Sequence, residues 1–323
     1  MVERLLGAGS DVTVLNRGLS APALPGVRVL AADRSDPEAV RTALGGGEWD
    51  VVFDVSGFVK TTAAAAFDDL VGRLDGRVGR YVYVSSIMVY RPSPRLPWPE
   101  TRPYRDEPVT SYGGFKVHAE RTLLAAHERR GFPATIARPA AIYGLGNNIY
   151  DMEAAMFLRL RRGLPVLLPH EGTVRTSYGH VDDLCAALEV LARHPAAPGE
   201  AFNITGEAAT ALEYVRVLAD VVGAEPDVRY LPDELVQTLT GPAFCHLFHR
   251  RHHGTLDTAK AARLLRLAPP RDLRTGHEQT YARLLPDLEG QVGDTRSDPL
   301  WGAGFDLAYE AEIAASLPTR RRP

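Results

Sequence analysis

Over the first 145 residues, short β-branched runs bounded by turn residues alternate with longer stretches whose apolar positions recur every three or four residues. This alternation predicts βαβ units and a parallel sheet. Strands are predicted at 11–16, 27–32, 50–55, 81–85 and 134–138, with helices at 36–44, 61–74 and 112–130. The runs VVFDV and YVYVS are almost continuously apolar or aromatic, as suits strands covered on both faces. Residues 1–145 therefore read as a doubly wound domain.

After Gly144 the pattern changes to a helix at 151–162, a short PVLLP run, a helix at 181–194, a strand AFNITG and a helix at 211–223. A strand DVRYLP follows, then helical segments at 233–239, 257–265 and 276–285. The expected architecture is α/β, a doubly wound parallel sheet with a smaller mixed α/β lobe. Residues 1–145 form the first unit, with 176–204 interleaved into it, and 146–175 with 205–287 form the second. Residues 288–323 are a C-terminal extension rich in Gly, Asp and Pro, with one further helix, AYEAEIAASL, and a frayed TRRRP end.

Composition narrows the class. With 323 residues, 45% hydrophobic and 24% charged, the chain has enough apolar matter for a large core and is neither a disordered tail nor a fibre. No apolar run approaches the ~20 residues that span a bilayer, and Glu3 and Arg4 fall where a secretory signal carries a different pattern, so a cytoplasmic protein is expected. Cys185 and Cys245 are too few for a disulfide framework and read as buried thiols. A net charge of −3 and a pI near 6.4 lack the basic footprint of a nucleic-acid binder, although 34 of the 37 basic residues are Arg.

The chemistry concentrates where the predicted strand at 81–85 ends. The run YVYVSSIMVY contains Ser86, and 26 residues later come Tyr112 and, four further on, Lys116. Tyr and Lys four apart share a helix face, so the Lys116 ammonium can favour the Tyr112 phenolate, which at its ordinary pKa near 10 is a poor base. Ser86 ends a strand, where α/β sheets bind ligands.

These residues, with VTVLNRG, AADRSD, DVVFDVSGF, RPAAIYGLGNN, TVRTSYGHVDDLCAAL and DTAKAARLLRL, make the chain resemble an extended short-chain dehydrogenase/reductase of the NAD-dependent epimerase/dehydratase family. The resemblance implies a Rossmann-like fold with Tyr112 as general base, Lys116 as its activator and ribose anchor, and Ser86 as ligand of the substrate oxygen. It implies cofactor contacts at Asn16, Arg17, Asp33, Arg34, Val55, Ser56, Gly57 and Pro139 besides Tyr112 and Lys116. Substrate contacts are expected at Ile87, Asn147, Arg175 and Arg251, and a homodimer through helices 61–74 and 112–130. Dehydratases and decarboxylases of the family carry acids just after the catalytic Ser or Thr; Ile87 and Met88 stand there and cannot move a proton. Hydride transfer at a hydroxyl or carbonyl carbon of a sugar nucleotide or small metabolite is thus expected, as net reduction or epimerisation.

The resemblance implies NAD or NADP as the cofactor. An acid that binds the ribose 2′-hydroxyl is replaced by Asn16 followed by Arg17, which favours NADP, although a plain strand-exit turn accounts for the same residues. The family's first strand and Gly-rich turn are not found before Val12, so the second and fourth strands of the 3-2-1-4-5-6 order are expected to lack a central partner. The competing expectation is a non-catalytic or regulatory member that binds nucleotide or RNA. The stretch from Cys245 to His253 has His and Cys at three- and four-residue spacing, but without an acidic partner it reads as a basic helix end and no metal is expected. Arg250 and Arg251 there would suit an anionic substrate. Asp182 and Asp183 read as helix caps.

Overall fold

The computed structural model describes residues 1–18, 24–55, 63–147, 152–239, 243–288 and 306–317. Its strands are β1 (Val12–Asn16), β2 (Val27–Ala31), β3 (Trp49–Asp54), β4 (Val78–Val84), β5 (Ala134–Pro139), β6 (Ala141–Tyr143), β7 (Val166–Pro169), β8 (Arg175–His180), β9 (Ala201–Ile204), β10 (Ala208–Thr210) and β11 (Val228–Leu231). The helices are α1 (Val2–Gly7), α2 (Pro37–Leu44), α3 (Ala63–Leu74), α4 (Tyr112–Arg130), α5 (Glu153–Arg161), α6 (Val181–Arg193), α7 (Ala211–Val222), α8 (Asp233–Val236), α9 (Ala259–Leu265), α10 (Leu273–Leu284) and α11 (Leu307–Ser316).

A parallel sheet in the order β3-β4-β5-β9 carries the first lobe. Its side chains alternate between two cores, as the pleat requires. Tyr81 and Tyr83 of β4 pack under Phe67 and Val71 of α3 and Phe115, Ala119 and Leu123 of α4. Val82 faces the other way, towards Leu188 and Leu191 of α6 and Ala261 of α9. Helices on both faces make this the doubly wound, Rossmann-like fold that the sequence predicts.

One departure from a continuous sheet matters for the site. Among the described residues β1 pairs only with β2, in parallel, and β3 pairs only with β4, so the strands form two separate sheets. Burial follows the pairing. All six residues of β5 are buried, whereas Val51, Val52 and Phe53 of β3 are only partly covered. Side chains join the two sheets instead. Both terminal nitrogens of Arg34, after β2, bond Asp54 at 2.6 Å, and the Arg28 guanidinium of β2 lies 5.5 Å from the Trp49 ring centroid. On α1, Arg4 bonds Glu189 of α6 at 2.8 Å.

The second core is built by Phe157 and Leu160 of α5, Leu167 and Leu168 of β7, and Val215 and Leu218 of α7, among others. The three-stranded β10-β8-β6 sheet adjoins it. Strand β8 escapes the sequence reading because Arg-Thr-Ser-Tyr-Gly-His has no apolar alternation. It is buried all the same, since β6 and β10 hold its two edges. The C-terminal helix α11 packs into this core through Ile313, Ala314 and Leu317, and its buried Glu310 bonds the buried Arg159 of α5 at 2.7 Å. The TRRRP end lies outside the described residues. Both cysteines are buried and unpaired to each other. No described helix is long and apolar enough to cross a membrane.

Candidate active site

Ser86 follows β4 and caps the 3-10 turn Ile87–Val89 by accepting the Met88 N–H at 3.1 Å. Tyr112 opens α4, whose cap Ser111 accepts from Gly114 N–H at 3.0 Å and donates to Glu107 at 2.9 Å. The two glycines after Tyr112 let the helix start press against the preceding loop. A Cβ at Gly113 would lie 2.7 Å from Arg105 Cδ and 2.9 Å from the Met88 carbonyl oxygen, and one at Gly114 would overlap the Pro108 carbonyl oxygen. Close approach of helix to turn brings the Tyr112 side chain to where Ser86 lowers the pKa of its phenol.

Burial raises the Tyr112 pKa above its ordinary value, while the Ser86 hydrogen bond and the Arg250 charge lower it. The cation acting on the phenol is thus Arg250. Lys116 is turned inward. Its buried ammonium donates to the Val84 carbonyl at 2.7 Å and lies 4.7 Å from the Tyr83 ring centroid and 5.7 Å from that of Tyr112. Burial lowers its pKa to about 8 against the pull of Asp54.

A buried polar hub supports this set. Glu120, one turn after Lys116, accepts from Ser85 Oγ at 2.5 Å, from Tyr104 OH at 2.8 Å and from Arg138 Nε at 3.0 Å. Arg138 of β5 also reaches Tyr90 OH at 2.9 Å and the Glu100 carbonyl at 3.0 Å, and Tyr90 OH donates to Asn203 at 2.6 Å. The hub ties α4, the ends of β4 and β5, β9 and the loop before α4 into one unit. Over it, Trp98 bonds the Thr255 carbonyl through its backbone N–H at 2.7 Å, closing the loop onto the 254–257 segment.

The cofactor positions expected from sequence divide in two. Pro139 is buried at the end of β5, and Val55, 56% exposed, follows β3 at the same sheet edge. Asn16 and Arg17 are exposed; Asn16 Oδ1 accepts from Gly18 N–H at 2.8 Å. Asp33 accepts from Ser35, whose hydrogen bonds lower its pKa. Arg34 is spent on Asp54: burial raises that carboxyl's pKa, but the guanidinium and the Tyr81 hydroxyl overcome this and hold it below the ordinary range. Ser56 and Gly57 lie outside the described residues.

A dinucleotide fits the reactive half. Lys116 uses one of its three N–H donors on Val84, and no other hydrogen-bond partner of its ammonium occurs among the described residues, which suits ribose hydroxyls. The pyrophosphate half has no Gly-rich turn between a strand and a helix N-terminus among the described residues.

The residues expected to contact substrate lie in differing surroundings. Ile87 is 2% exposed and packs with Val89, Trp98 and Leu256. Met88 is half-buried, with its sulfur 3.8 Å from Arg105 Nη1 and 3.7 Å from Arg250 Nη2. Arg251 is exposed, while its neighbour Arg250 turns in towards Tyr112. Arg175 bonds Glu213 at 2.8 Å and the Ala208 carbonyl at 2.8 Å. Asn147 gives its amide to Glu153 at 3.0 Å. His180 caps α6 by accepting from Asp182 N–H, and Asp183 is paired with Arg271, so Asp182 and Asp183 occupy the first turn instead of the capping position. Sequence reasoning gave no signal for Arg105, which stands in a polar loop, or for the Glu120–Arg138 pair.

The sequence model of the NAD dependent epimerase/dehydratase family matches residues 1–205. The chain is 29% identical over 294 residues to chloroplast stem-loop binding protein of 41 kDa b of Arabidopsis thaliana, covering 86% of this chain and 73% of that one. It is 29% identical over 203 residues to 2′-dehydrokanamycin reductase of Streptomyces kanamyceticus, covering 62% of this chain but 56% of the relative. Its fold matches that of dTDP-glucose 4,6-dehydratase of Bacillus anthracis, solved in complex with NAD, with a TM-score of 0.75 at 17% identity over 89% of this chain and 93% of that one. With the match spanning well over half its length, the chain belongs to the NAD dependent epimerase/dehydratase family.

Proposed function

We propose that the chain is an NAD(P)-dependent oxidoreductase or epimerase acting at a hydroxyl or carbonyl carbon of a sugar nucleotide or small metabolite, with Ser86, Tyr112 and Lys116 as its reactive set. The support for this reading is that Ser86, just after β4, lowers the pKa of the Tyr112 phenol at the start of α4, with the Lys116 ammonium 5.7 Å from the Tyr112 ring centroid. A substrate oxygen received between these two hydroxyls would exchange its proton with Tyr112 as the carbon gains or loses hydride, which is general acid–base catalysis. The bound dinucleotide supplies the hydride or accepts it. Lys116 would hold its ribose, with Val55 and Pro139 flanking it. Asn16 and Arg17 favour NADP, since a guanidinium beside a neutral amide suits a 2′-phosphate.

Ile87 and Met88, lacking acidic groups, speak against dehydration. The relative named as a reductase supports carbonyl reduction. Packing of α3 against α4 leaves Asp68 bonded to His118 at 2.9 Å and to Thr122 at 2.8 Å on the outer side, and this helix pair is the proposed homodimer surface. Fluorescence titration with NADPH and NADH tests the cofactor assignment. Absence of binding by either would overturn the enzymatic reading, and tighter NADH binding would overturn the NADP preference.

A further inference from the structure

Resting on the reading of Tyr112 and Lys116 as the reactive face of α4, we propose that Glu120 is a positioning residue for that reaction. Through Ser85 it fixes the end of β4, and so sets where Ser86 and the Lys116 ammonium stand.

Tyr112, Lys116 and Glu120 are spaced four apart and share one face of α4. Opposite that face lies the end of β4. The Val84 carbonyl accepts from Lys116 at 2.7 Å, and Ser85 Oγ donates to Glu120 at 2.5 Å. Two bonds from successive strand residues to helix residues one turn apart make a staple, and Ser86 is the next residue along. Beyond Ser86 the chain is confined again, since the Met88 carbonyl oxygen sits where a Cβ on Gly113 would approach to 2.9 Å. The staple is anchored on β5. Ser85 N–H donates to the Ala137 carbonyl at 2.7 Å, and the following residue, Arg138, donates to Glu120 from Nε at 3.0 Å and Nη2 at 2.5 Å. Ser85, Glu120 and Arg138 thus close a circuit between β4, α4 and β5, and all three are buried.

Stability alone does not account for an ion pair in this place. A buried carboxylate–guanidinium pair gains little over apolar side chains of similar volume, because desolvating both ions offsets their attraction. What it supplies is direction: each bond has one partner and a narrow range of angles, so the strand end has one position against the helix. The carboxylate also stands one turn from Lys116. That ammonium is faced by Asp54 from β3, Arg34 from the segment after β2, the Tyr83 ring from β4, and Tyr112 and Glu120 from its own helix. Asp54 and Glu120 favour the charged amine, while burial and Arg34 oppose it. Because Arg138 answers Glu120, removing the carboxylate charge alone would leave a bare guanidinium beside the site.

Titration of the purified chain with NADPH and with NADH, at a series of pH values on both sides of 8, tests the placement. In the unaltered chain affinity should fall as pH rises through about 8. Glu120→Gln should move that midpoint down by about one pH unit, and adding Arg138→Gln, which removes both charges, should return it. Ser85→Ala keeps every charge, so it should leave the midpoint in place but weaken binding at neutral pH by about threefold or more. Ser85→Thr, which keeps the hydroxyl, should restore the affinity, and this pair carries the test if Glu120→Gln does not fold. A hub that only stabilises the fold would lower the melting temperature of these variants without moving the midpoint. That result, or full affinity in Ser85→Ala, overturns the positioning role alone. Absence of dinucleotide binding by the unaltered chain, or a flat profile, instead overturns the reading of Lys116, and the role of Glu120 falls with it.

Discussion

Arg34 and Asp54 form a two-pronged ion pair, both bonds at 2.6 Å, that links the segment after β2 to the end of β3 across sheets that share no strand ladder among the described residues. The carboxylate is 3% exposed and also receives the Tyr81 hydroxyl, so its charge is fully answered within the fold.

Replacing Asp54 with Ala should therefore cost about 1–3 kcal/mol, the range for leaving a buried partner unsatisfied. Arg34 is 23% exposed and can partly recover in water, which limits the loss. Urea unfolding midpoints at neutral pH check this. Because the folded-state pKa of Asp54 is lowered, its stabilisation is complete above the ordinary carboxylate pKa and fades as pH falls through the folded value. The difference between the unaltered chain and the variant should shrink in that acid window.

Tyr112→Phe should lower turnover by about 10²–10⁴-fold, the usual contribution of a positioned acid–base group, while leaving dinucleotide affinity near its original value. Lys116 should act on binding instead. Its pKa of about 8 means that the ammonium is lost as pH rises through that value, so dinucleotide affinity should fall above pH 8. Dissociation constants measured from pH 6 to 10 check this, and a flat profile would contradict the role of Lys116.

His277 is fully buried, stacked on Tyr143 with ring centroids 4.1 Å apart, and neither ring nitrogen has a hydrogen-bond partner among the described residues. Burial, with a smaller effect from His180, lowers its pKa to about 3. Unfolded, the ring takes up a proton below its ordinary pKa near 6.5, so the unfolded state binds more protons and stability falls as pH drops from 6.5 towards 3. The slope approaches ~1.4 kcal/mol per pH unit for this one group. His277→Phe should flatten that part of the stability profile and cost little at pH 7, since it removes two unsatisfied polar atoms. An unchanged slope would show that the ring is protonated in the folded state.

Gly114→Ala should disturb α4 and Tyr112 together. The added methyl meets the Pro108 carbonyl, and overpacking of this kind costs about 1–3 kcal/mol. Loss of both thermal stability and turnover is expected. The milder Gly131→Ala, at a left-handed helix end far from Ser86, should affect stability alone.

The legible parts of this molecule were those with a local signature. Strands such as β4 and β5 carry apolar runs, and Ser86, Tyr112 and Lys116 carry a spacing, so their positions could be read along the chain. Strand β8 could not, because its burial depends on β6 and β10 and not on its own residues. Which of Ile87 and Met88 is buried turns on one step of a 3-10 turn, and which of Arg250 and Arg251 is exposed on the orientation of an extended segment, and neither is marked along the chain. Lys116 gives the same difficulty at a finer scale. Its helical spacing from Tyr112 is as expected, but the Val84 carbonyl takes the ammonium, and Arg250, distant in sequence, acts on the phenol.

The separation of β1–β2 from β3 has a consequence for how the molecule opens. Backbone ladders propagate cooperativity, and here the ladder stops, so the first two strands are joined to the rest by side chains and α1. Their amides should exchange with solvent through a sub-global opening of lower free energy than the unfolding of β4 and β5. Strands β1 and β2 would then form a weaker cooperative unit than β4 and β5, one that a ligand bridging Asn16 and Lys116 would protect from exchange.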